Sequence, residues 1–302
     1  MKVSGLTIVR NAVQFDYPVV EAILSILPLC DEFIVGVGNS QDNTLELVQQ
    51  IASPKIRIFQ SIWDENLRQG GRVLAVETDK AFQQISPDTD WCFYIQADEI
   101  LHENDLDKVY ENMRKNLSDR NVEGLLFRYL HFYGSYDYIG DSRKWYRHEV
   151  RIVRNSPKIH SFRDAQGFRW DNRPIKVKDS GGTIFHYGWV RPPEVQAKRQ
   201  KAFHRFWHDD QWIKTHLTSN DFFDYSQIDS LSLFRGIHPR VMQDRIRSMN
   251  WKFDFDPTQK NFGFKAKILY IIEKIFGWRP FEYRNYRQKK KKNATQQRDC
   301  LG

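Results

Sequence analysis

The chain has 302 residues, enough for roughly two domains of ~150 residues each and a full hydrophobic core. Aromatic residues make up 14%, so rings carry much of the burial; a net charge of +8 suits nucleic-acid, anionic-membrane or phosphorylated partners. Three widely separated cysteines, Cys30, Cys92 and Cys300, argue against a disulfide framework or a cysteine metal site, and no apolar run approaches the ~20 residues of a membrane span. Met1 to Leu6 leads straight into a strand pattern without a secretion signal, so the expectation is a soluble, cytoplasmic protein.

Residues 3–9 read as a short apolar strand that ends at Arg10-Asn11-Ala12. Pro18 suits the first turn of a helix, which carries Val20, Ile23, Leu24 and Leu27 at helical spacing and stops at Pro28. Residues 32–37 are an apolar run of the parallel-sheet type. They open into Gly38-Asn39-Ser40-Gln41-Asp42-Asn43-Thr44, a turn dense in capping residues, followed by a helix to about Ala52 and a strand over 55–60. This alternation predicts a parallel sheet with right-handed crossovers. Gln69-Gly70-Gly71-Arg72 then starts a helix with Leu74, Thr78, Ala81, Phe82 and Ile85 on one face. Free N–H groups, the helix dipole and a fork-shaped cation converge there, as a diphosphate requires.

The central stretch is Trp91-Cys92-Phe93-Tyr94-Ile95-Gln96-Ala97-Asp98-Glu99-Ile100-Leu101. Its apolar half reads as a buried strand that delivers Gln96, Asp98 and Glu99 at its carboxyl end, where open α/β sheets bind ligands. Carboxylates there need neutralising, and a divalent cation that shares a phosphate ligand does this. Beyond it come a polar, exposed helix over 102–117, an aromatic strand over 124–132 and a tyrosine-rich loop over 134–140. A strand over 149–154, a loop over 155–172 and a short strand over 183–189 bearing His186 follow. Residues 194–209 read as a basic helix. His204 and His208 stand four apart in it, but Arg205 occupies the place where a zinc-protease helix needs glutamate, so they read as surface or packing residues. An accessory segment over 231–255 precedes an amphipathic helix over 265–276 with Ile268, Ile271, Ile272, Ile275 and Phe276 to one side and Gly277 at its end. Arg284, Arg287 and the lysines at 289–292 form a basic tail.

Over residues 1–190 the order of these landmarks resembles the family-2 glycosyltransferases of the GT-A fold, in the subgroup whose motif reads Asp-Ala-Asp-Glu; here it reads Gln96-Ala97-Asp98-Glu99. The resemblance implies an α/β fold, a Rossmann-like, mostly parallel sheet flanked by helices. Its domain would span 1–214, with a helical accessory region over 215–288 and a disordered tail over 289–302. It implies an inverting sugar transfer from a nucleotide-diphosphate donor, a UDP-sugar, with Mn or Mg. Asp98 would contact the metal, and His186, in His186-Tyr187-Gly188-Trp189, would complete its shell. Arg10, Asn11, Gly38, Arg72, Gln96 and Ala97 would surround the donor. Ser40, Asp42 and Thr44 match the family's second-strand signature, although the acidic base-reading position falls near Val37 or Gly38, which carry no carboxylate. Arg151-Ile152-Val153-Arg154 matches the strand before the loop of the catalytic base. Asp164 is the first choice for that base, with Glu149 and Asp171 as alternatives.

The acceptor would be a glycan or a lipid-linked molecule, with Tyr133, Tyr136 and Trp145 stacking on it. Three rival readings stand beside this one, among them a degenerate fold of the same kind that only binds, which Gln96 leaves open. A nucleotidyltransferase should carry a glycine-rich, lysine-bearing loop where Arg10-Asn11-Ala12 stands. A nucleic-acid-binding protein should show a recognisable module, whereas the basic charge here concentrates toward the C-terminus and no specific nucleic-acid partner is expected. The C-terminal helix and lysine run can lie on an anionic membrane surface, or the helix can pack its stripe on its own domain.

Overall fold

The computed structural model describes residues 1–216 and 221–288; the expected basic tail at 289–302 lies outside them. The N-terminal half runs β1 (Val3–Val9), α1 (Val19–Ile26), β2 (Glu32–Gly38), α2 (Thr44–Gln49), β3 (Ile56–Ser61), α3 (Arg72–Gln83), β4 (Trp91–Tyr94) and β5 (Glu99–Leu101). Then come α4 (Leu106–Lys115), β6 (Gly124–Tyr133), β7 (Ser135–Gly140), β8 (His148–Arg154), β9 (Ile159–Phe162), β10 (Gly167–Trp170) and β11 (Arg173–Trp189). The remainder holds α5 (Pro193–His204), α6 (Asp210–His216), β12 (Leu231–Leu233), α7 (Gln243–Arg247), α8 (Phe264–Phe276) and β13 (Tyr286–Gln288).

The main path of the sheet is β3-β2-β1-β4-β8-β6-β11-β10-β9. β3, β2, β1 and β4 are mutually parallel, and β8 then runs antiparallel to both β4 and β6. The expected fold class is the observed one: α/β, with a parallel N-terminal half, mixed pairing beyond β4, and helices on both faces. Strand alternation divides the core. Trp91, Phe93 and Ile95 face the layer of Val19, Ile23 and Met113, whereas Cys92 and Tyr94 face the layer of Val73, Ala81 and Phe168. Full burial of each large apolar side chain stabilises the fold by roughly 1.5–3 kcal/mol.

Several segments differ from expectation. The tyrosine-rich 134–140 segment is strand β7, because Tyr136 and Tyr138 alternate inward at period two and β6 and β12 pair with its edges. Its Tyr136 packs on Tyr187 and Trp251, and Tyr133 packs on Trp189, Tyr225 and Phe253. Both are buried core members, so they are not a platform for an acceptor. The 155–172 loop contains the β9–β10 hairpin. The 183–189 strand is the end of a 17-residue strand, with a register shift between Asp179 and Thr183 where Gly181 adopts φ +79°. The 102–117 helix begins as a 3-10 turn, and its α-helical part buries Val109 and Met113 against the sheet. Within 215–288, β12 pairs with β7 and β13 with β11.

Candidate active site

β1 and β4 pair in parallel, Leu6 opposite Tyr94, so their carboxyl ends emerge together. Arg10 and Asn11 leave one strand and Gln96, Ala97 and Asp98 the other, all into a cleft of about 530 Å³. Asn11 takes φ +55° there; its backbone N–H donates to Ser40 Oγ at 3.0 Å and its side-chain oxygen accepts from Gln41 N–H at 2.7 Å. Asp42 accepts from Gln14 N–H at 2.7 Å, and Thr44 Oγ1 accepts from Ala12 N–H at 2.7 Å. Ser40, Asp42 and Thr44 therefore tie the two strand-end loops into one wall.

Asp98 and Glu99 part company at the start of β5. Asp98 faces the cleft. Glu99 turns into the core, where Arg151 grips it with two bonds of 2.7 Å, Tyr129 donates to it at 2.8 Å and the Gln96 backbone N–H at 3.1 Å. Bidentate geometry with the remaining lone pairs filled is what a buried ion pair needs.

His186 reaches Asp98 from β11, its Nε2 3.7 Å from Oδ1. On the other side Arg199 of α5 sets a guanidinium nitrogen 3.7 Å from Oδ2, with its Nε donating to the Tyr17 hydroxyl at 2.9 Å. A chain of rings fixes the tautomer of His186. His131 Nε2 lies 2.8 Å from the Tyr146 carbonyl, which only accepts, so that nitrogen carries the proton. His131 Nδ1 is then bare and accepts from His186 Nδ1–H at 3.0 Å. This leaves the lone pair of His186 Nε2 facing a carboxylate oxygen. Burial lowers the pKa of both imidazoles, His131 far below its ordinary value, which keeps them neutral. Gly188 keeps the adjoining space open: a Cβ there would lie 2.7 Å from His186 Nε2 and 2.9 Å from Asp98 Oδ2. A bare imidazole nitrogen oriented by a second hydrogen bond, a carboxylate and a protected space between them fit a divalent cation. Among the described residues no group of three or more His, Cys, Asp or Glu side chains gathers into a metal site. A cation here would rely on donor phosphates for the rest of its shell, as Mg²⁺ commonly does.

Asp164 lines the cleft from the β9–β10 turn. Its neighbours Arg163 and Ala165 both take φ +58°, a conformation costly for residues with a Cβ. Two anchors hold that turn: Gln96 Nε2 donates to the Ala165 carbonyl at 3.3 Å, and Arg151 Nη1 donates to the Gln166 carbonyl at 3.0 Å. Gly71, at φ +69°, lets the turn approach, since a Cβ on it would lie 2.6 Å from Asp164 Cβ. Burial raises the Asp164 carboxyl pKa above the ordinary value.

The cleft thus gathers Arg10, Asn11, Gln96, Ala97, Asp98, Asp164 and His186. Gly38 sits at the end of β2 against Trp63, and Arg72 is exposed at the start of α3; neither lines the cleft. Glu149 is buried on β8 with Asn285, and Asp171 is exposed in the β10–β11 turn. Arg68, Arg199 and Arg205 line the cleft without having been singled out from the sequence. Arg199 shares the buried face of α5 with Gln196, three residues earlier, and that spacing was its available signal. His131 was hidden as one polar residue in an aromatic strand.

No family model matches this chain, and no curated protein matches it. Among solved structures it is similar to S. aureus TarS, at 14% identity over 67% of this chain and 39% of that chain, TM-score 0.37. It is also similar to TarS 1-349 in complex with UDP, at 15% identity over 67% and 64% of the two chains, TM-score 0.37. A third is glucosyl-3-phosphoglycerate synthase from Mycobacterium tuberculosis in complex with Mn²⁺, UDP and phosphoglyceric acid, at 21% identity over 43% of each chain, TM-score 0.29. The chain spans less than two thirds of the length of each.

Proposed function

We propose that this chain is a glycosyltransferase that moves a sugar from a nucleotide-diphosphate donor, a UDP-sugar, to an acceptor hydroxyl with inversion at the anomeric carbon. The observation that carries the reading is one cleft, at the carboxyl ends of parallel strands, that holds Asp98 between His186 and Arg199 with Asp164 on another wall. Strand ends of this kind are where α/β sheets bind nucleotides. Arg10 and Arg68, paired with Glu65 and Asp210, and Arg205 bring to the cleft the guanidinium groups that a diphosphate needs. A divalent cation, Mn or Mg, held by Asp98 and His186 Nε2 would supply neutralisation of the diphosphate leaving group. Arg199, already beside Asp98, adds a fixed positive charge at the same place. Asp164 takes the proton from the acceptor hydroxyl as it attacks the sugar. Its raised pKa makes it a stronger base than an ordinary carboxylate, and the Gln96 and Arg151 anchors hold it in place.

The test is thermal unfolding with UDP, other nucleoside diphosphates and UDP-sugars, with and without Mn²⁺. A ligand at a hundred times its Kd stabilises the native state by about 2.7 kcal/mol. The expected result is a nucleotide-dependent rise in Tm, larger with Mn²⁺, whose metal-dependent part disappears in Asp98→Ala and His186→Ala. No response to any nucleotide, or variants that respond as the parent does, overturns the reading.

A further inference from the structure

α8 carries its apolar stripe on the outside. At 100° per residue, Phe264, Ile268, Ile271 and Ile275 fall within about 60° of one another around the helix. None is buried: Phe264 is 83% exposed and Ile275 67%. The opposite side of the helix faces the protein, and it does so largely through polar groups. Tyr270 donates its hydroxyl proton to Asp141 at 2.9 Å, and Glu273 receives Arg279 at 2.7 Å. Arg279 is itself buried and donates to the carbonyls of Trp145 at 2.6 Å and Ser142 at 3.1 Å. These bonds fix the roll of α8, so the stripe cannot turn inward without breaking them. Beyond the αL cap at Gly277, Trp278 and Phe281 extend the apolar surface, Phe281 at 94% exposure. Four large apolar side chains exposed along one helix face mark an interaction site.

Charge identifies the partner. Lys267 flanks the stripe on one side and Lys265 on the other; Lys274, beside Lys267, lies 3.9 Å from Asp141. Both acids within residues 264–288 are occupied by arginines, Glu273 by Arg279 and Glu282 by Arg147 and Arg284. In sequence, Arg284 and Arg287 lead on to the four lysines at 289–292. An isologous contact with a second copy would set these lysine flanks against each other. Among the described residues no helix is long and apolar enough to cross a membrane. A short helix with an apolar stripe, flanking lysines and nearby Trp and Phe is built to lie in a lipid interface.

We infer that the outward face of α8, continued by Trp278 and Phe281, docks this protein on an anionic lipid surface. The site described above is close in connection: Trp145, whose carbonyl holds Arg279, stacks its ring on His131 at 5.2 Å.

The experiment is sedimentation of the full chain with vesicles of phosphatidylcholine alone or with 30% phosphatidylserine. The parent is expected to partition onto the anionic vesicles at least tenfold more strongly than onto neutral ones. Ile268→Ser/Ile271→Ser/Ile275→Ser should abolish partition to both. Lys265→Glu/Lys267→Glu should lower the anionic partition by tenfold or more, since each basic residue near such a surface contributes. Far-UV circular dichroism, Tm and nucleotide-induced Tm shifts should stay at parental values, because the altered side chains are exposed. No binding of the parent to anionic vesicles overturns the proposal, as does binding that survives both variants. A parental dimer that the triple-serine variant converts to monomer, with no vesicle binding, would assign the stripe to a second copy and also overturn it. Nucleotide binding is measured without lipid, so its failure and the failure of docking are read separately.

Discussion

Around the cleft, carboxylates keep an open side: Asp98 between two cationic or neutral nitrogens, Asp164 on a strained turn. One layer below, Glu99 and Glu149 are sealed among β-strands, the first gripped by Arg151 and the second bonded to Val150 N–H and Asn285. Asp98 and Glu99 are consecutive in the chain, so place in the sequence does not separate the two groups. Local structure does: Asp98 and Asp164 sit on turns that edge the cleft, whereas Glu99 and Glu149 sit within strands β5 and β8. An acid on the cleft side can meet a ligand and give up or take a proton. An acid on the core side can only stabilise or strain the fold. Replacing a cleft acid should therefore change chemistry and spare stability, and replacing a core acid should do the reverse; Arg151, which also anchors the Asp164 turn, should affect both.

The widest separation is expected at Asp164. Asp164→Asn should lower transfer by ~10²–10⁴-fold, the usual loss for a missing general base, while the nucleotide-induced rise in Tm is retained. Its own Tm should not fall, because burial already disfavours the charged carboxylate that asparagine removes. For the parent, transfer should rise with pH through a value above the ordinary carboxylate pKa. Initial rates with the best donor from the thermal screen measure this; normal turnover by the variant would remove Asp164 from the chemistry.

The core counterpart is Arg151→Met, which leaves Glu99 buried without its cation, bonded only to Tyr129 and the Gln96 N–H. The expected cost is about 3–5 kcal/mol in urea unfolding. Adding Glu99→Leu to the same chain should recover most of it, since an apolar pair of similar volume often replaces a buried ion pair without loss. A cost near zero for Arg151→Met would mean that the core layer does not depend on this pair.

The parallel half of the fold was legible because short-range signals agree there. The strand over 3–9, the helix from Pro18 and the apolar run into Gln96 each carry a period and a stop signal, and the structure has β1, α1 and β4 in those places. The second half was less legible because its pairings are distant in sequence. β7 looked like a loop until β12, almost a hundred residues on, supplied its other edge. Within the site, Asp98 and His186 share a cleft as the landmark order suggested. Arg199 and His131 were hidden, because nothing local distinguishes an arginine beside a carboxylate from one in water, or an orienting histidine from a packed one. The stripe of α8 was visible in the sequence, but what faces it was not: α1 buries Val19, Ala22, Ile23 and Ile26 with the same kind of pattern that α8 exposes.

A smaller effect with a distinctive pH dependence is expected at Glu149. Burial pushes its carboxyl up to about 7 from 4.5. Between those two values the native chain keeps a proton that the unfolded chain has released, so stability falls as pH rises through the window and stays low above it. Glu149→Gln mimics the protonated form. It should stabilise the protein by on the order of 1–3 kcal/mol at pH 8 and by almost nothing at pH 4. The unpartnered Asn285 Oδ1 gives the new amide an acceptor once the asparagine side chain turns over. Urea midpoints at the two pH values decide it; a gain equal at both would attribute the effect to packing. Transfer activity at pH 7 should be unchanged, since Glu149 does not line the cleft.

The smallest effect tests the border between the two layers. Gln96 stands where the resembled subgroup has its first aspartate, and its amide donates to the Ala165 carbonyl at 3.3 Å. If it serves the Asp164 turn, Gln96→Glu removes a donor and sets a carboxylate against a carbonyl oxygen. One neutral hydrogen bond contributes about 1 kcal/mol, so kcat should fall several-fold with the donor KM little changed. The response to Mn²⁺ should not sharpen. If the position instead belongs to the cation, the same substitution adds a charge beside Asp98, and the Mn²⁺ concentration for half-maximal activity should drop while kcat holds or rises. That outcome would move Gln96 from the turn to the metal side of the cleft and mark the departure from aspartate as the feature that weakens cation binding. Titrating Mn²⁺ against initial rate in the two proteins separates these results directly, because a loosened turn lowers the plateau and a stronger cation site shifts the midpoint.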